Sequence, residues 1–474
     1  MYGPIWLKLL RSGLLIALLG FFLYSIVASL LAERGPRFLA QSARGDGQDP
    51  GVRVLLLDHQ HARPRHRELE IRLLQACSLV TPDDVGGLQR EFPPGTVLRL
   101  TPEPAGQMII HASGPSGSGE WTGNAGQSQR LHLHPVDHGR SDGPRPAPLA
   151  SFEAANQLAV FALGERAYRG NLAIVVERGG WLYAVNALPI EAYVASVLQS
   201  EMGGAYPRAA LRAQAIVARG YAYTRGRRPR RRLDGLLVYH LSDAQPDPAY
   251  HGIGSGDRLI DWAARDTRGQ ILTAHGAPFV PHFHASSGSR TANIQELDPD
   301  ARTLDGTPLT QLDVMISQPD AFCRPGAEML GKLESHWHRV TELDRKAIGR
   351  ALREAGVAQN WWLTRLAVDR HPSNRVASVI IDTLHRNEPI VLTAERFRQI
   401  VGPELIPSTL WSQDSPREVL DAGEDGGKFI IESYGLGHGV GMSQVSAYAM
   451  GQEGYTADEI LAFFYLGASV ETWW

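Results

Sequence analysis

Hydrophobic positions along the chain fall into three regimes. Gly13 to Ala32 is an apolar run of 20 residues without a charge, preceded by Lys8 and Arg11. A run of about 20 apolar residues spans a bilayer, and basic residues ahead of it keep the N-terminus cytoplasmic and send the rest of the chain outside. A cleaved signal peptide is the alternative. The run is long for one, and no clean small-x-small site precedes Glu33.

Residues 33–50 are polar and Gly-rich and read as a linker. From Gly51 the pattern turns to strands: Val52 to Leu57, Leu69 to Leu74, Val97 to Leu100 and Met108 to His111. Residues 112–128 are rich in Gly and Ser, and Pro144, Pro146 and Pro148 punctuate 136–150. Both stretches read as loops or a domain edge. Strands return after Leu158, and Gly179-Gly180 between two alternating runs predicts a hairpin.

At Leu188 the period changes to that of a helix. Pro189 suits a first turn and Glu191 its positive end. Ile190, Val194, Val197 and Leu198 then repeat at helical spacing, and Glu201 falls on the same stripe. Gly203-Gly204 ends this helix. A second follows from Pro207, kept thin by Ala209, Ala210, Ala213, Ala215 and Ala218. Further on, Leu343 to Ala355 is amphipathic, Leu363 to Asp369 and Arg375 to Asp382 alternate, and Thr456 and Glu459 open a last helix over Ala457 to Tyr465. The whole predicts an α+β fold. Its β-rich scaffold carries short helices, one of them bearing Glu201, behind an N-terminal transmembrane helix. The divisions are an anchor or signal over 1–32, a linker over 33–50, a β-rich region over 51–150 and a main domain over 151–474.

A carboxyl among apolar side chains has its charged form disfavoured, so its pKa rises. A protonated carboxyl near neutral pH is what a general acid requires. The competing reading of Glu201 is an exposed side chain at a frayed helix end. The formal net charge of −3 over 474 residues gives no argument for nucleic-acid binding. Two cysteines, Cys77 and Cys323, are too few for a disulfide framework or a thiolate zinc site. The basic run from Arg225 to Arg232 suits an anionic lipid or a polyanionic wall polymer, or simply a solvated loop containing Pro229.

The stretch from Asn186 to Ala222 resembles the signature of the stage II sporulation protein D (SpoIID/LytB domain) family. Asn186, Glu191, Tyr193, Val197, Glu201, Met202, Pro207, Ala210, Leu211, Ala213, Gln214, Ala215, Ala218, Arg219, Tyr221 and Ala222 match it. Phe283, Ser286, Ser287, Gly288 and Thr291 resemble a later family segment, in which Ser289 replaces a usual Gly. The run HPSNRV (371–376) is similar to a family turn, with Asn374 in place of Gly; Asn also tolerates positive φ. Gly437, His438, Gly439, Gly441, Met442, Ser443 and Gln444 match the family's closing signature. A dinucleotide-binding loop is the rival for those glycines, but their spacing is wrong and no βαβ unit follows. Glycines at alternate positions let the backbone approach a ligand closely, and a helix opening near Ser443 would aim its N–H groups at that ligand.

The resemblance covers roughly 150–474 and makes that span a SpoIID/LytB-like catalytic domain. It implies a peptidoglycan lytic transglycosylase that cuts glycan strands stripped of their peptides by an amidase. Glu201 would be acid and then base, with no cofactor. Gln214, Arg219, Tyr250, Ser286, Ser287, Gly288, His438 and Gln444 are the implied substrate-binding residues. Some relatives are amidase enhancers, which implies a non-catalytic wall-binding protein as the alternative. Some members bind zinc through thiolates in the segment matching Asp243 to Gly252. Those cysteines are missing here, and His240 and His251 alone make a poor site, so no metal is expected. A nucleophilic Ser286 or Ser287 beside His282 or His284 is a third reading, although no G-x-S-x-G elbow is present. His438, taken alone, reads as a core histidine; within the signature it reads as a base or a ligand-orienting donor.

Overall fold

The computed structural model describes residues 50–57, 65–80, 89–103, 107–124, 130–136, 160–177, 179–228, 231–233, 236–244, 246–253, 257–357, 362–384, 386–419 and 427–474. The expected membrane segment, residues 13–32, lies outside them. Among the described residues no helix is long and apolar enough to cross a membrane.

Among the described residues, twelve strands precede the first helix: β1 (Gly51–Leu56), β2 (Leu69–Leu73), β3 (Cys77–Val80), β4 (Gln89–Phe92), β5 (Val97–Pro102), β6 (Gln107–Gly114), β7 (Gly117–Asn124), β8 (Arg130–Pro135), β9 (Phe161–Leu163), β10 (Arg166–Tyr168), β11 (Asn171–Glu177) and β12 (Trp181–Pro189). One sheet runs β1-β12-β11-β8-β3-β4, with the short strand Leu241–Ser242 parallel to the outer side of β1. The other runs β10-β9-β2-β5-β6-β7. Strands from both sides of residue 150 therefore share both sheets. Within the stretch 112–128, expected to be a loop, the described residues 112–124 are two strands and the turn between them. β6 and β7 form a hairpin through Pro115 and Ser116, paired from Gly114↔Gly117 to Gln107↔Asn124. The hydrophobic alternation was missing because β7 is an edge strand with small or polar residues at 117–120.

β11 and β12 are buried on both faces, which explains their nearly continuous apolar runs. Ile174, Val176, Leu182 and Ala184 enter the main core; Ala173, Val175, Tyr183 and Val185 form a smaller cluster with Leu55 on the opposite face. The hairpin between β11 and β12 closes at Glu177↔Trp181 with Gly180 at φ +75°.

Helix α1 (Ile190–Glu201) continues directly from β12, and α2 (Arg208–Arg227) packs against it. α2 carries the start of the Arg225 to Arg232 run, so those first arginines are helical rather than in a loop. Arg225 and Arg227 lie over the rings of Tyr221 and Tyr223. A second core gathers Leu343, Ile348, Leu352, Val379, Ile381, Phe397, Trp411, Phe429 and Ile431. Two three-stranded sheets and the helices Arg345–Glu354 and Ala394–Val401 surround it. Asn374 takes φ +68° in the turn between Leu363–Arg370 and Val376–Thr383.

Candidate functional site

Glu201 is the last residue of α1, and burial of Ile190, Tyr193, Val194, Val197 and Leu198 fixes that helix's rotation. The N–H groups of Met202 and Gly203 both return to the Leu198 carbonyl, with Gly203 at φ +69°. A left-handed residue closes the helix there at no steric cost only if it is glycine.

Two remote segments meet the Glu201 carboxyl. The Ala249 N–H donates to Oε1 at 2.7 Å, and Gln444 Nε2 donates to Oε2 at 3.2 Å. Burial pushes the Glu201 pKa up, and the Ala249 and Gln444 hydrogen bonds pull against it. The segment 246–252 is latched at two further points, one on α1 and one on β12: His251 N–H donates to Ser200 Oγ at 3.1 Å, and the Tyr250 hydroxyl donates to Asn186 Oδ1 at 2.5 Å. Gln444 opens the helix Gln444–Gln452, whose cap Ser443 is the second residue of a two-residue parallel pairing of Phe283–His284 with Met442–Ser443.

Of the expected sugar-binding residues, Gln444 is the one whose side chain hydrogen-bonds Glu201. Arg219 is fully buried on α2. It makes a two-pronged ion pair with Glu191 and donates also to Thr267 Oγ1 and to the carbonyls of Ala215, Ala264 and Gln270. Its donors are spent inside the fold. Tyr250 is fully buried, and its hydroxyl is held by Asn186. Ser286 and Ser287 are fully buried. Ser286 Oγ lies 3.1 Å from Cys323 Sγ, and Ser287 Oγ donates to Asp320 Oδ2 at 2.7 Å, which accepts equally from Ser446 Oγ. All four side chains, expected to touch sugar, are buried with polar atoms engaged inside the protein, as buried polar groups ordinarily are.

Gly288 and the glycines near His438 are approached closely by other protein segments. A Cβ on Gly288 would sit 2.5 Å from the Tyr434 backbone, and one on Gly435 would sit 2.6 Å from the Ser286 carbonyl. Gly439 faces the Arg375 guanidinium, and Gly441 faces the His282 carbonyl. The N-terminal amides of the Gln444–Gln452 helix are also engaged, Val445 N–H with Ala285 O and Ser446 N–H with Ser443 Oγ. His438 packs between His282 and His284, with ring centroids 5.7 and 5.5 Å away, and its Nδ1 accepts from Val440 N–H. Burial holds its pKa down to about 4, so it is neutral.

Gln214 is fully buried, and neither atom of its amide has a hydrogen-bond partner. The buried Tyr193 hydroxyl on α1 is unpartnered as well. Asp247 is the carboxylate that sequence reasoning passed over. It accepts from the Tyr221 hydroxyl at 3.0 Å and from Ser242 N–H at 2.9 Å. Among the described residues no group of three or more His, Cys, Asp or Glu is arranged to hold a metal ion. Cys77 and Cys323 are both free and buried.

Residues 178–274, which carry α1, α2 and Glu201, match the family described as stage II sporulation protein. An uncharacterised protein of Brachyspira hyodysenteriae is 27% identical over 65% of this chain and 74% of its own length. Stage II sporulation protein D of Bacillus subtilis is 23% identical over 60% of this chain and 76% of its own. The amidase enhancer of the same organism is 22% identical, over 58% of this chain and 40% of its own. The family match over α1 and α2 and these relatives support the resemblance of the chain, from Asn186 to Ala222 and beyond, to the stage II sporulation protein D (SpoIID/LytB) family.

Proposed function

We propose that this protein, whose family resemblance ties it to the cell wall, is a lytic transglycosylase that cleaves the MurNAc–GlcNAc bond of peptidoglycan strands, acting through Glu201. The observation that carries the reading is the Glu201 carboxyl at the end of α1, with its pKa raised by burial and a donor on each oxygen. Protonated, Glu201 gives its proton to the glycosidic oxygen as positive charge develops on the sugar. Ionised, it takes the proton of the C6 hydroxyl of the same sugar, and that oxygen closes a 1,6-anhydro ring. No water is consumed. A hydrolase that adds water needs a second carboxylate across the bond. Asp247 is a weak candidate for that role, because Tyr221 and Ser242 already engage both its oxygens.

The preferred substrate is a strand freed of its peptides by an amidase, and the enzyme works outside the cytoplasm, tethered by residues 13–32. The named likeness to an amidase enhancer keeps a second reading in view: a protein that binds wall material without cutting it. Serine chemistry is disfavoured by the complete burial of Ser286 and Ser287. The deciding experiment incubates the full chain with peptide-free glycan strands and weighs the products. Fragments one water lighter than hydrolysis products, lost in Glu201→Gln, support the transglycosylase. Fragments carrying the added water make it a glycosidase, and bound but intact strands make it an enhancer.

A further inference from the structure

The antiparallel strands His338–Asp344 and Lys428–Tyr434 place His338 directly opposite Tyr434 and Val340 opposite Glu432. Alternate residues share a face, so His338, Val340, Glu432 and Tyr434 all lie on one side. The other side carries Leu343, Phe429 and Ile431 into the second core. The outward side is not an ordinary solvated surface. The His338 and Tyr434 rings lie 4.9 Å apart at 33°. Glu432 Oε1 accepts from both His338 Nε2 and the Tyr434 hydroxyl at 2.9 Å. The Trp337 ring stands edge-on to Tyr434 at 5.9 Å. Leu333–Trp337, which delivers the tryptophan, is a single π-helical turn, a rare conformation concentrated at functional sites. The Glu432 and His338 side chains are 27% and 38% exposed, so the cluster is open to a ligand.

We propose that Trp337, His338, Tyr434 and Glu432 form a second carbohydrate subsite, which holds a sugar of the glycan strand away from the bond that is cut. The inference rests on the reading of the chain as a glycan-handling protein. A pyranose ring presents an apolar C–H face and a rim of hydroxyls. Flat aromatic side chains match the first, and an oriented carboxylate, an acceptor only, matches the second. Hydrogen bonds from Tyr434 and His338 hold Glu432 below the usual carboxylate range, so it stays an acceptor in mildly acidic conditions. The backbone ties the two sites together. Gly435 N–H donates to the Trp337 carbonyl at 2.9 Å, and ten positions after Tyr434 the same segment delivers Gln444 to Glu201. That segment cannot span more than about 35 Å, so one strand of several sugars reaches both places.

The test uses the full chain carrying Glu201→Gln, so that binding is read without turnover. Its probes are peptide-free strands of two and of eight sugars, and a free stem peptide, followed by titration calorimetry. Trp337→Ala is expected to weaken the long strand about tenfold and leave the disaccharide unchanged. Glu432→Gln, which keeps the side chain's shape, is expected to weaken the long strand several-fold with an unaltered melting temperature. The proposal is overturned if neither variant alters long-strand affinity, or if their effect falls on the stem peptide, which would mark a cation site. Strands that bind with these losses but are never cut by the unsubstituted protein would sink the transglycosylase and leave the subsite standing. A parent that binds no glycan overturns both.

Discussion

Gln444 Nε2 donates to Glu201 Oε2 across 243 positions of sequence. A primary amide offers an N–H on one side and a carbonyl on the other. Turned one way, Gln444 donates to the carboxylate; turned the other, it accepts from the carboxyl proton. One side chain thus serves both protonation states that the proposed cycle requires, while the Ala249 N–H favours only the ionised one.

Gln444→Ala removes a donor to the charged form, so the Glu201 pKa rises further. The acid works while it is protonated, and the alkaline limb of kcat/KM should therefore move up by about one pH unit, with a lower maximum. A limb that stays in place would show that the amide does not tune the carboxyl. The same profile measured on glycan cleavage with Gln444→Glu provides the contrast, since a second carboxylate also raises the pKa but cannot donate at neutral pH.

Arg219→Ala leaves Glu191 a nearly buried charge without its partner. Breaking a buried pair from one side costs about 3–5 kcal/mol, read as a lower denaturation midpoint in urea. Arg219→Lys should recover only part of this, because an ammonium cannot reproduce the two-pronged contact. Wild-type stability with lost glycan binding would instead restore Arg219 to the sugar site.

Gly435→Ala should destabilise by about 3 kcal/mol or more. The residue sits at φ +86°, and the new methyl would press on the Ser286 carbonyl and the Gly288 N–H, neither of which can rotate away. Thermal melting checks this. An alanine variant that melts with the parent would mean that the two segments do not cross as described.

Acid should loosen the same region. His282, His284 and His438 are all held below the usual histidine pKa, first by burial and then, for His282 and His284, by His438, with Arg225, Arg228, Arg375 and Arg398 as neighbouring cations. In the unfolded chain they take protons near pH 6.5; folded, His438 does so only at about 4. The stability they permit is present above pH 6.5 and lost as pH falls from there towards 4. Melting temperature against pH should drop by several degrees over that window, and His438→Asn should flatten the drop.

Much of this was legible in the sequence because the relevant signals are local. The Gly179-Gly180 hairpin, the α1 stripe, the Thr456 and Glu459 capping box and the Asn374 turn each follow from a few adjacent residues. Glu201 stood out for the same reason. The roles of its neighbours did not, because they depend on burial. Arg219, Tyr250, Ser286 and Ser287 have the chemistry of sugar ligands, and nothing in their spacing tells that Glu191, Asn186, Cys323 and Asp320 already hold them. Ala249 escaped notice because its contribution is a backbone N–H, which every residue but proline owns.

β1 lies between β12 and Leu241–Ser242, hydrogen-bonded to both. The stretch that matches the family begins at residue 178, so it contains β12 but neither β1 nor β11, the strands on its two sides. Excised as a gene fragment, that stretch would expose two bare backbone edges and would not be a portable cassette. Transplanting this glutamate into another protein would call for the strands from Gly51 onward to travel with it.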